Sequence, residues 1–73
     1  MKIILSVYVD SRIIEEETFY GVDALHAFIS GKVKSEPPTL GDLSRAFLNS
    51  PDGFVSLRDR DVDNTIYDMY VSH

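Results

Sequence analysis

The sequence predicts a single small acidic α+β domain, residues 1–73, with the element order β-β-α-α-β-β. Both ends of the chain alternate between apolar and polar residues, as strands do, and the middle has apolar residues at helical spacing. Prolines separate the two helical stretches. We therefore expect a four-stranded, mostly antiparallel sheet with two short helices on one face and the first strand at its centre.

The first strand is predicted from alternate apolar residues near the start of the chain, namely Ile3, Leu5, Val7 and Val9. A turn over residues 10–12 leads to a second strand over residues 13–20, which is rich in branched and aromatic residues. Three glutamates at 15–17 place at least one charge on each face of this strand. That pattern is typical of an edge strand that is protected from further pairing.

The first helix is predicted to begin at Val22, where the apolar spacing changes from two residues to three and four. Asp23 lies near its start, where a negative charge favours the helix dipole, and Gly31 is placed to end it. Residues 32–38 form a linker, since their two prolines exclude helical backbone.

The second helix is predicted to run for about ten residues after Thr39. Thr39 and Asp42 resemble a capping box, and Asn49 is expected to end the helix in the left-handed conformation. Residues 50–53 fit a type I turn, with proline second and glycine fourth.

A terminal hairpin is predicted over residues 55–71, with a three-residue loop at 62–64. This register places Leu57 opposite Met69. It also places Asn64 at the left-handed bulge position that such loops require.

The composition restricts the classes of function. Twelve acidic and seven basic residues give a net charge of −5, which argues against direct binding of nucleic acid or an anionic membrane. The chain has no cysteine, which excludes disulfides and thiolate metal sites. No stretch approaches the roughly 18 apolar residues of a membrane span, so a cytoplasmic location is expected. Because so short a chain has a small core, a homodimer is one expected alternative.

The residues that could carry chemistry form no known catalytic or metal-binding motif. The aspartate spacing after Asp59 resembles the start of a calcium loop, but Asn64 replaces the required glycine and Tyr70 the bidentate glutamate. His26 lies alone on the first helix, where a structural role is expected. We therefore predict no enzyme activity, no metal and no cofactor.

One face of the sheet is the predicted partner-binding surface. If the odd-numbered residues of the first strand face the helices, large side chains on the first and last strands point away from them. These residues, with one acidic residue among them, are Ile4, Tyr8, Ile66, Asp68 and Tyr70. Tyrosine suits interfaces because it combines a large apolar ring with a hydroxyl group.

A second surface hypothesis concerns an acidic row that could imitate nucleic-acid phosphates. Alternate residues of a strand lie about 6.6 Å apart, close to the spacing of phosphates along one strand. The residues proposed for this acidic surface are Glu15, Glu17, Asp59, Asp61 and Asp63, with Asp68 as a further member.

The sequence thus favours a non-enzymatic interaction module, an accessory or inhibitor protein that binds a protein partner through this face and its acidic edges. One alternative is an acidic mimic, of the antirestriction or anti-CRISPR type, that blocks the basic groove of a nucleic-acid-binding protein. Another is a small enzyme subunit with a site shared across a dimer, for which Tyr20 and His26 are the candidate components.

Overall fold

A computed structural model describes residues 1–72 and confirms the predicted α+β fold. All neighbouring strands are antiparallel, and the sheet order is β2-β1-β4-β3, so β1 is central and β2 lies at an edge as predicted. The elements are β1 (Lys2–Val9), β2 (Arg12–Phe19), α1 (Val22–Lys32), α2 (Leu40–Asn49), β3 (Phe54–Arg58) and β4 (Thr65–Ser72). Neither helix is long and apolar enough to cross a membrane within residues 1–72.

The core forms between one face of the sheet and the two helices. The central strands supply its strand half, because their odd-numbered side chains all point toward the helices. Leu5 and Met69 pair directly and are fully buried. Leu25 and Ile29 from α1 and Phe47 from α2 cover them. We refer to this side of the sheet as the inner face and to the opposite side as the outer face.

The turn between β1 and β2 determines which residues of β2 reach each face. Asp10 and Ser11 both have positive φ, 51° and 68°, as a tight two-residue hairpin turn requires. Val9 therefore pairs with Arg12, and Tyr8 with Ile13. A bulge follows, which moves the register of β2 by one residue.

The helix ends differ from the prediction at two residues. Gly31 does not end α1, because the helix continues through Lys32. Asn49 is the last residue of α2 and has no left-handed backbone, since the chain leaves the helix through an extended Ser50. At the other end of α2, the Thr39 hydroxyl accepts a hydrogen bond from the Asp42 backbone N–H at 3.1 Å, which confirms the predicted cap.

The predicted register of the terminal hairpin was wrong by two residues. Val55, rather than Leu57, pairs with Met69, and the connecting loop covers residues 59–64 instead of 62–64. Because the shift is an even number, every side chain keeps its predicted face. The predicted left-handed Asn64 is confirmed by its φ of 60°.

Replacing Ser11 with glycine should stabilise the protein by about 0.5–1 kcal/mol, because glycine adopts positive φ without the steric cost that a Cβ imposes. Urea unfolding followed by circular dichroism measures the difference. A Ser11→Ala variant serves as the control, since it retains the Cβ. An unfolding midpoint for Ser11→Gly at or below that of the wild type would contradict the turn geometry.

Candidate interaction face

The outer face consists of three rows of side chains that run across the strands. The first apolar row is Ile4, Tyr70 and Phe54. The acidic row is Glu16, Ser6, Asp68 and Ser56. The second apolar row is Ile13, Tyr8 and Ile66, with Arg58 at its end on β3. Adjacent rows are two residues apart along each strand, which corresponds to about 6.6 Å.

The apolar rows remain accessible because both helices pack on the inner face. Ile13, Tyr70 and Phe54 expose 56%, 40% and 44% of their surface, respectively. Ile4 and Tyr8, on the central strand, are partly exposed. Exposed apolar side chains that are grouped on one sheet face, rather than scattered singly, are a feature of interaction surfaces.

Serine hydroxyl groups of the acidic row donate hydrogen bonds to its two carboxylates, one short and one long. Ser56 Oγ donates a hydrogen bond to Asp68 Oδ1 at 2.7 Å, and Ser6 Oγ donates to Glu16 Oε2 at 3.4 Å. Ser6 itself is buried between its neighbours. The two carboxylates therefore lie on either side of Ser6, separated by two strand spacings, or about 10 Å between Cα atoms.

The structure places all five predicted partner-binding residues on the outer face. Their side chains lie as the alternation predicted, and Tyr8 pairs with Ile66 directly. Sequence reasoning missed Ile13 and Phe54, which extend the two apolar rows to the sheet edges. Ile13 could have been found from a two-residue turn at 10–11, which places it opposite Tyr8. Their partner-binding role stays a prediction.

The predicted acidic surface is divided among separate parts of the molecule. Glu15 and Glu17 lie on the inner-face side of the edge strand, opposite Val7 and Leu5 of β1. Glu15 accepts a hydrogen bond from Lys32 Nζ at 2.7 Å, and this bond raises the pKa of Lys32 above its usual value. Glu15 is therefore already paired within the chain.

Asp59 corrects the acidic-surface prediction, because it is only 2% exposed. Its carboxylate accepts hydrogen bonds from the backbone N–H groups of Lys34, Ser35 and Asp61 at 2.7, 3.1 and 3.0 Å. Burial by itself would raise the pKa of Asp59, but these hydrogen bonds outweigh it and the pKa is lowered. Asp59 thus fastens the linker to the end of β3.

The row of alternate aspartates proposed as a phosphate mimic does not form. Asp59, Asp61 and Asp63 lie in the loop after β3 instead of an extended strand. Asp61 and Asp63 are exposed, whereas Asp59 is enclosed. The prediction failed because alternation cannot show that a carboxylate will bind backbone N–H groups from a segment about 25 residues earlier.

The two candidate enzyme residues lie in unlike surroundings. His26 Nε2 is 3.1 Å from the Pro38 carbonyl oxygen, so the ring connects α1 to the linker when this nitrogen carries the proton. Ser30 Oγ is 3.3 Å from the same nitrogen. Tyr20 is 76% exposed just before α1. No hydrogen bond joins Tyr20 to His26 among the described residues.

No group of three or more potential metal-ligating side chains occurs within residues 1–72. A scan of protein-family models, a search of curated proteins and a search of solved structures each returned no match to this chain. The arrangement of the outer face is therefore the basis for the functional argument.

Replacing Asp59 with asparagine should lower the free energy of unfolding at neutral pH. It should also make that free energy less dependent on pH in the acidic range. The pKa of Asp59 is lowered on folding, so its stabilising effect is present above the unfolded-state pKa and lost as the pH falls through the folded-state value. Urea unfolding midpoints of both proteins, measured between about pH 2 and pH 6, test this pH dependence.

Asp63→Asn is the matched control for net charge, because Asp63 lies exposed in the same loop. Asp59→Asn should be the less stable of the two variants at neutral pH. Equal midpoints for the two variants would show that the Asp59 hydrogen bonds do not hold the linker.

Proposed function

We propose that this chain is a non-enzymatic interaction module that binds a protein partner through the outer face of its sheet. The observation that carries the proposal is the pair of accessible apolar rows on a sheet face that no element within residues 1–72 covers. Water contact with these rows is unfavourable, by about 25 cal/mol for each Å² of apolar surface, so a cover that excludes water is stabilising.

The dimensions of the outer face are consistent with the central part of a protein–protein interface. Four strands and the distance from Ile4 to Tyr8 define an area of roughly 14 Å by 13 Å. This is smaller than the roughly 800 Å² that a standard interface buries on each partner. The apolar rows therefore suit the core of an interface, with the surrounding charged residues forming its rim.

The side chains of the face are of the kinds that contribute most to binding. Tyr8 and Tyr70 offer large rings with few rotatable bonds, so their immobilisation costs little entropy. Phe54 and Ile66 provide additional apolar area beside them. Tyrosines at the centre of an interface are among the usual sites of large binding losses on truncation.

The nucleic-acid mimic is the weaker alternative on structural grounds. Its key feature was a regular row of accessible carboxylates, and Asp59 is buried while Glu15 is paired with Lys32. The outer face, in contrast, keeps both its apolar rows and its strand geometry. A homodimer through the outer face remains an outcome that the following experiment detects.

The double variant Tyr8→Glu/Tyr70→Glu should fold and lose partner binding, because it removes both rings and places carboxylates where the apolar side chains of a partner would bury them. Affinity capture from the native cell and sedimentation velocity compare it with the wild type. Circular dichroism verifies the fold, and Phe54→Glu provides a milder variant at the sheet edge.

Leu48→Glu is the control, since Leu48 is 85% exposed on α2 and lies away from the outer face. It should retain every specifically captured protein and the wild-type oligomeric state. If folded Tyr8→Glu/Tyr70→Glu and Phe54→Glu keep the same partners and the same sedimentation coefficient, the outer face is not the interface.

A further inference from the structure

The acidic row indicates what chemistry the partner must bring. It runs through the middle of the outer face, between the two apolar rows, and its charged members are both carboxylates, Glu16 and Asp68. Of the cationic residues on this face, Lys2 lies at the end of β1 beyond the first apolar row, and Arg58 lies at the β3 end of the second apolar row. The centre of the face is thus negative even though the face as a whole carries charges of both signs.

Neither carboxylate forms an ion pair with a cationic side chain within the described part of the chain. The ion pairs within residues 1–72 are Lys32–Glu15 and Arg45–Asp42, both away from the outer face. Asp68 receives a short hydrogen bond from Ser56 and Glu16 a longer one from Ser6, which leaves further acceptor positions free on both carboxylates. Both carboxylates therefore keep acceptor positions for an external donor.

Covering the apolar rows also buries this acidic row. Desolvating a carboxylate without a counter-charge is strongly unfavourable, which opposes the gain from the apolar rows. A second copy of the chain laid on the same face would bring two acidic rows together, since the row lies at the centre. A partner of opposite charge removes this penalty, and complementary charge is what distinguishes correct partners from incorrect ones.

On the basis of the proposed function, we infer that the outer face binds a protein segment that carries an arginine between two apolar residues. The rows on the face are two residues apart along each strand, as are the side chains on one side of an extended segment. The matching sequence pattern is an apolar residue, any residue, arginine, any residue and a second apolar residue. It places one side chain over each of the three rows in order.

Arginine fits this position better than lysine. The edge of its planar guanidinium group can donate N–H hydrogen bonds to a carboxylate while its flat surface stacks on an aromatic ring. Tyr70 follows Asp68 by two residues on the same strand, and Tyr8 lies diagonally across from Asp68 on β1. The acidic row is therefore bordered by rings on both sides.

The test uses two blocked synthetic peptides, leucine–threonine–arginine–threonine–leucine and its counterpart with uncharged citrulline in place of arginine. Each is titrated into ¹⁵N-labelled wild-type protein and followed by NMR. The arginine peptide should shift the amide signals of Ser6, Asp68 and their row neighbours. The citrulline peptide should bind about fivefold more weakly or worse, as expected for loss of one charge pair.

Two charge-matched variants make the test specific. Asp68→Asn should remove the preference for the arginine peptide, whereas Asp63→Asn, the same charge change in an exposed loop, should preserve it. Equal binding of the two peptides, shifts centred on the 59–64 loop, or no shift from either peptide would overturn the inference. The proposed function is tested separately, by partner capture and sedimentation of Tyr8→Glu/Tyr70→Glu. If that variant loses its partners while the two peptides bind equally, the arginine inference fails and the proposed function stands.

Discussion

The fold depends on one constraint: β1 must bury one of its faces against the helices. Its inward residues Ile3, Leu5 and Val7 are at most 3% exposed, and they belong to the core between the sheet and the helices. With only two short helices within residues 1–72, one side of the sheet is covered. The outer face and its apolar rows follow directly from this two-layer arrangement.

A second interaction holds the two layers in position. The Asp59 carboxylate accepts three backbone hydrogen bonds and thereby connects the end of β3 to the linker between the helices. The linker has no regular structure of its own, so its N–H groups require such acceptors. His26, near the Pro38 carbonyl, contacts the other end of the same segment. The charged carboxylate of Asp59 therefore stabilises the fold and is not part of an exposed binding surface.

Periodicity predicted the elements that depend on local sequence and failed where distant segments meet. The alternation in β1 and β4 correctly predicted which side chains lie on the outer face, because one buried face fixes the phase of a strand. The hairpin register was missed by two residues, since Asp59 leaves the strand to bind Lys34 and Ser35. Ile13 was missed because its face depends on the turn and the bulge that follows it.

The exposure of the outer face is tested most directly by the solvent accessibility of the isoleucine methyl groups, measured by NMR with a soluble paramagnetic agent at low protein concentration. Ile3 and Ile29 are fully buried, Ile4 and Ile66 lie on the outer face, and Ile13 is exposed at its edge. We expect strong broadening for Ile13, clear broadening for Ile4 and Ile66, and none for the buried pair. Protection of Ile4 and Ile66 equal to that of Ile3 and Ile29 in the monomer would contradict this expectation.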